Sequence, residues 1–151
     1  MPNARRETRK VQAGTVLAFD FGEKRIGVAM GETALKMAHP LTTIQATRND
    51  TRFLAIGKLI AEWQPVRLIV GLPKHMDGTE HTMTGRCRRF AQQLQGRYGL
   101  PAELVDERLT SAEAQDMLRG FGRAGKQDKH LIDQLAAQRI LQAYFDQHAT
   151  A

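Results

Sequence analysis

Between Thr15 and Phe21 the chain is almost continuously apolar, rich in strand-forming residues and apolar on both alternating faces. Such a run predicts a strand buried on both sides, as in the middle of an α/β sheet. A tight polar corner follows, then a second β-like segment at Arg25–Gly31. A third, Met37–Ile44, contains Pro40, which suits an edge position or a bulge. The short spacings predict an antiparallel meander.

The pattern then becomes helical. Phe53, Ile56, Leu59, Ile60 and Trp63 form one apolar stripe that Pro65 ends. Arg67–Gly71 reads as a short buried strand. A second helix is expected from Thr79 to Arg97, with Met83, Cys87, Phe90, Leu94 and Tyr98 on one face. Ala102–Asp106 reads as a fifth strand. Thr110 and Glu113 make a capping-box pair that would open a third helix, and a last helix is expected from His130 to Gln147. The order β-β-β-α-β-α-β-α-α predicts an α/β fold: a five-stranded mixed sheet, three strands antiparallel and then two parallel additions, flanked by helices. The first, fourth and fifth strands would be parallel, and the edge at their C-terminal ends is where open α/β sheets place ligand sites.

Three acids fall near that edge. Asp20 ends the first strand. A buried carboxylate needs a partner or a cation, although an Asp at a corner also caps turns through local amides. Glu107 directly follows the fifth strand. Asp133 shares a helical face with Ala136, Ala137 and Ile140; it either points toward the sheet or offsets the helix dipole. Three such acids in one cleft would suit Mg²⁺ or Mn²⁺. Two such ions about 4 Å apart can clamp a phosphodiester, activate water and stabilise the leaving oxygen. The five histidines (39, 75, 81, 130 and 148) show no zinc-ligand spacing, and Cys87 is the only cysteine, which fits a reducing cytoplasm.

Charge extends this picture. The 151 residues hold 22 Lys plus Arg against 16 Asp plus Glu, a net charge of +6 that favours an anionic partner, nucleic acid first. Arg86 and Arg89 lie on the polar side of the second helix, either as a solvated face or as phosphate contacts. The Gly-rich segment before Asp133 carries Arg119, Arg123, Lys126 and Lys129; it is either a plain connector or a loop over a phosphate backbone. Residues 1–13 read as a basic arm and 14–151 as a single domain. No apolar stretch approaches the roughly 20 residues that a membrane span takes. The N-terminus lacks the apolar core of a signal peptide, so a cytoplasmic location is expected.

Four ordered stretches carry a family resemblance: Leu17-Ala18-Phe19-Asp20-Phe21-Gly22 with Arg25-Ile26-Gly27-Val28-Ala29; Ile69-Val70-Gly71-Leu72-Pro73 with Met76-Asp77-Gly78-Thr79; Asp106-Glu107-Arg108-Leu109-Thr110-Ser111; and Ile132-Asp133-Gln134-Leu135-Ala136-Ala137 with Ile140-Leu141-Gln142. Together they resemble the YqgF (RuvX-like) family, which implies a ribonuclease H-like fold. The resemblance implies a metal-dependent nuclease maturing the 5′ end of pre-16S ribosomal RNA, with precursor ribosomal particles as partners. A Holliday junction resolvase acting on DNA is the alternative, as is a non-catalytic nucleic-acid-binding module in ribosome or transcription complexes. The family's metal-binding acids fall on Asp20, Glu107 and Asp133. One departure is His75, where the family pattern would have Asn. Actin-like kinases share a strand and turn like Asp20-Phe21-Gly22, but they need two domains around ATP, and this length supplies one.

Overall fold

Five strands form one sheet in the computed structural model, which describes residues 13–74, 77–107 and 128–148. The strands are β1 (Thr15–Phe21), β2 (Arg25–Glu32), β3 (Met37–Gln45), β4 (Arg67–Leu72) and β5 (Ala102–Asp106). Helix α1 (Asn49–Trp63) connects β3 to β4, α2 (Thr82–Tyr98) connects β4 to β5, and α3 (Asp128–Gln147) closes the described chain. The sheet order is β3-β2-β1-β4-β5. The first three strands pair antiparallel, and β4 and β5 add parallel to β1. This is the expected mixed sheet. Residues 1–12, His75, the Thr110–Glu113 capping pair and the basic positions Arg119, Arg123 and Lys126 lie outside the described residues.

The central strand earns its place by burial. Val16, Leu17, Ala18 and Phe19 have no exposed surface. Leu17 and Phe19 face a core shared with Ile26, Val28, Leu68 and Val70 and with Phe53 and Ile56 of α1 and Cys87, Phe90 and Leu94 of α2. Val16 and Ala18 face a second core built with Ala29, Ile69, Ala137, Ile140, Leu141, Tyr144 and Phe145. The helices therefore cover both faces of the sheet, α1 and α2 on one side and α3 on the other.

Element ends follow local chemistry. α1 stops at Gln64, which takes a left-handed conformation (φ 46°) before Pro65, and α2 stops at Gly99 (φ 65°). The second helix opens later than its pattern suggests. Asp77 Oδ1 accepts from the Thr79 amide at 2.9 Å and from its hydroxyl at 2.7 Å, so Thr79 belongs to a turn. Beside Pro40 the β2–β3 register slips between Val28 and Ala29, leaving Leu41 without a partner on the edge strand.

α3 sits unusually close to the sheet because the residues beneath it are small. Gly27, Ala29 and Gly31 of β2 present almost no side chain to this face. A Cβ on Gly27 would collide with the backbone carbonyl of Asp133, and one on Gly31 would lie 2.7 Å from the Phe145 ring. Three glutamines spaced four apart then stitch α3 to the edge strand. Gln138 Nε2 donates to the Ala38 carbonyl at 2.9 Å, Gln142 Oε1 accepts from the Ala38 amide at 3.1 Å, and Gln134 Nε2 donates to Thr43 Oγ1 at 3.2 Å. Gln142 Nε2 also reaches the Lys36 carbonyl at 3.0 Å. These side chains occupy edge groups that would otherwise stand open to a foreign strand.

The close approach at Gly27 yields a stability test. Gly27→Ala forces α3 off the sheet and is expected to cost about 3 kcal/mol, the upper part of the range for overpacking. Urea denaturation checks it: a midpoint within error of the wild type would show that α3 is not seated on this glycine.

Candidate active site

Asp20 is placed by strand alternation. It shares a face with Val16 and Ala18, so its carboxylate lies on the α3 side of the sheet. Across the ladder it pairs with Gly27, the residue on which the Asp133 turn of α3 rests. One position past the Phe19–Val70 pair, β4 reaches Gly71, where a Cβ would lie 2.6 Å from Glu107 Oε1. The glycines thus clear the floor beneath two acids, Asp133 over β2 and Glu107 over β4, with Asp20 on the strand between them.

Asp20 and Glu107 are hydrogen-bonded to each other. The Asp20 carboxyl is held well above the usual carboxylate range, first by desolvation and then by the negative charges of Glu107 and Asp133. Glu107 is also raised, mainly by burial, with Asp106 adding repulsion and the hydrogen bond from Asp20 opposing the shift. A hydrogen bond between two carboxyl groups needs one proton, which the pair shares. Asp133 belongs to the same field but has a partner of its own: Arg25 Nε donates to Asp133 Oδ2 at 2.6 Å. Both side chains are largely covered, 29% and 18% exposed, so solvent screens this pair less than a surface bridge. Among the described residues, no group of three or more His, Cys, Asp or Glu side chains converges closely enough to hold a metal ion. The structure therefore joins Asp20 to Glu107 and turns Asp133 toward Arg25.

The basic candidates separate by location. Arg86 and Arg89 lie on α2, at a cleft of about 470 Å³ shared with the β1–β2 turn and α1. Arg86 pairs with Glu23 of that turn. Lys129 is exposed on the first turn of α3. Cys87 is buried and its thiol is pushed up to about 12 by desolvation and by the nearby acids, so it is no nucleophile at neutral pH.

Two functional neighbours escaped the sequence reading. Arg25 opens β2 and answers Asp133 across 108 residues. Arg52, on the first turn of α1, is only 4% exposed and donates to the carbonyls of Ala46 and Gly22, each at 2.5 Å, and to that of Glu23. It clamps the turn that follows Asp20. A charged residue directly before the apolar stripe of a helix was its one sequence signal.

Comparison with known proteins bears on the family and the fold. A profile of the RuvX family, described as Holliday junction resolvase, matches residues 14–147. A protein of Methylobacillus flagellatus named "Putative pre-16S rRNA nuclease" is 59% identical over 133 residues, 88% of this chain and 91% of that protein. One of the same name from Dechloromonas aromatica is 60% identical over the same shares of both chains. Among solved structures, Thermus thermophilus RuvC in complex with a Holliday junction substrate superposes with a TM-score of 0.56 at 16% identity, over 90% of this chain and 96% of that one. A second structure, of Thermus thermophilus RuvC, gives 0.53 at 14% identity over the same shares. At such identities the likeness establishes the RuvC, ribonuclease H-like fold.

The acid pair has a measurable consequence. A carboxyl raised in the folded state binds its proton more tightly there than in the unfolded chain, so folding stability falls as pH rises from the ordinary Asp value of 3.8 through the raised one. Asp20→Asn removes that penalty. In metal-free buffer at neutral pH it is expected to melt above the wild type, with the two melting curves converging as the pH is lowered toward 4. A variant melting below the wild type at neutral pH would place Asp20 outside a repulsive pair.

Proposed function

The chain belongs to the RuvX family, and on that premise we propose that it is a divalent-metal-dependent nuclease that processes the 5′ end of pre-16S rRNA in the cytoplasm. The observation that carries the reading is the hydrogen-bonded Asp20–Glu107 pair at the C-terminal edge of the parallel strands. Two acids pressed together against desolvation and repulsion are what a cation site needs. Structural ion pairing would instead have set a base beside each of them. The donor set fits Mg²⁺ or Mn²⁺, since all the candidate oxygens are hard carboxylate ligands. Asp20 and Glu107 would hold the ion, and Asp133 would join them on leaving Arg25. When bound, the metal would supply Lewis acidity toward the phosphodiester and a water of lowered pKa.

The chain's own groups supply the rest. The strand-end position fixes Asp20 through its ladder pairing with Gly27 of β2, directly after the Phe19–Val70 pair with β4, so the pair is preorganised by the sheet. Arg25 pairs with Asp133 and so sets a guanidinium beside the acids, where a phosphate would arrive. Arg86, Arg89 and Lys129 would position the strand through its backbone, together with Arg119, Arg123 and Lys126 of the segment before α3. Both family and relatives support nucleic acid as the partner, and the family description favours a second substrate, the four-way DNA junction.

The test is a side-by-side cleavage assay on a pre-16S leader RNA and a four-way DNA junction, with Mg²⁺ or Mn²⁺. Wild-type protein is expected to cut the leader. Asp20→Asn and Glu107→Gln should each lower the rate by at least about a hundredfold, as loss of a principal charge-stabilising group does. Junction cutting without leader cutting would select the DNA reading. Undiminished cutting by Asp20→Asn would remove the acid pair from the chemistry.

A further inference from the structure

Directly past Asp20 the chain crosses from one face of the sheet to the other. Phe21 faces the α1–α2 side and enters the cleft of about 470 Å³, within the range of roughly 300–1,000 Å³ typical of ligand sites. Its cations come from three elements: Lys24 from the β1–β2 turn, Arg52 from α1, and Arg86 and Arg89 from α2. The floor is aromatic. The half-buried Phe21 ring packs on Phe90 with centroids 4.8 Å apart, and Phe53 lies 6.0 Å from Phe90.

The charge here is not internally balanced. Among the described residues Glu23 is the only acid lining the cleft, and it pairs with Arg86 through two side chains at least half exposed. Such a surface bridge is weak and opens readily. Arg52 is fixed by the three carbonyls it serves, with its guanidinium carbon 5.3 Å from the Phe21 ring centroid. Lys24 and Arg89 are exposed and have no ion-pair partner among the described residues. Arg86 lowers the Arg52 pKa, after desolvation, as like charges crowded together do. Fixed and mobile cations around a half-open aromatic ring match a nucleotide, with phosphate oxygens on the cations and the base against a ring or guanidinium plane.

We propose that this cleft seats an unpaired nucleotide of the substrate strand, flanking the phosphate presented to Asp20 and Glu107. The β1–β2 turn separates the two sites by a few residues, so one strand passing over it meets both. The cleft then selects substrates with a single-stranded extension next to the cut. This rests on the nucleic-acid reading above but not on cleavage.

The experiment is therefore a binding measurement in EDTA, where no turnover occurs. Fluorescence anisotropy compares a fluorescein-labelled oligonucleotide with a single-stranded extension and the same duplex with blunt ends. Arg89→Ala and Phe21→Leu are expected to weaken binding of the extended strand about tenfold, the scale of one lost stacked base or phosphate contact. Blunt-duplex binding should change less than about twofold, as should extended-strand binding by Lys58→Ala, on an exposed part of α1 lining a separate groove. Arg89→Ala should also lower the salt slope by about 0.7. Photo-cross-linking with bromouridine in the extension should label the peptide containing Phe21 or the one containing Arg89. Arg89 is exposed, so its variant reports even if Phe21→Leu folds poorly. Equal losses on blunt and extended duplexes, equal losses with Lys58→Ala, or cross-links confined to other segments would overturn the proposal. Complete protection of these peptides by free UMP at concentrations that leave the strand bound would overturn it as well, by making the cleft a mononucleotide site.

Discussion

The seating of α3 on a nearly side-chain-free strip of sheet is the constraint from which the rest follows. β2 offers Gly27, Ala29 and Gly31 to this face, and β1 offers Ala18. The helix backbone comes down until the Asp133 carbonyl touches the space a Cβ would need at Gly27. Since Gly27 is also the ladder partner of Asp20, the height of the helix and the position of the acid share one coordinate. The glutamine row then fixes rotation and register. Gln134, Gln138 and Gln142 lie on one side of α3, and each meets β3. A helix held by apolar contact alone can turn about its axis, whereas one tied to strand backbone groups cannot.

That seating brings negative charge together where the sheet can least disperse it. Asp20 lies in the central strand and pairs with Gly27, so backbone movement to relieve repulsion would break that ladder. The strain is taken up by protonation, with the Asp20–Glu107 pair holding a proton that isolated carboxylates would have lost. Asp133 instead has the Arg25 guanidinium beside it. Two solutions to one electrostatic problem therefore sit side by side, a shared proton and a guanidinium. On the proposed reading, a cation able to replace both would release that strain.

Much of this was legible in the chain. Continuous apolar runs marked β1 and β4 because those strands are buried on both faces, and the helical stripe from Phe53 to Trp63 marked α1 because only one of its faces is covered. Pro40 announced the edge strand and its bulge. Asp20 and Glu107 were found by their place at strand ends. The pairing of Asp133 with Arg25 was not, because side-chain spacing within a helix reports neighbours three and four residues away and is silent about a partner 108 positions distant. The glutamines escaped for a related reason: on a helix they read as solvated residues, and only the closeness of α3 to an edge strand gives them partners. Arg52 looked like any helical cation, and its burial depends on three carbonyls from two separate turns.

The β1–β2 turn gains its importance from lying between opposite fields. On the α3 side, the acids repel a phosphate backbone. On the α1–α2 side, Lys24, Arg52, Arg86 and Arg89 attract it. An acid pair alone would hold a cation but give a polyanion no reason to approach, and the basic cleft alone would bind without acting. Arg52 makes the two inseparable. By taking the Gly22 and Glu23 carbonyls it fixes the peptide that directly follows Asp20 and Phe21, so the same guanidinium that charges the cleft also holds the strand end carrying the acid. Replacing it would disturb both sites at once, which is why variation among exposed cations such as Arg89 can separate binding from chemistry and variation at Arg52 cannot.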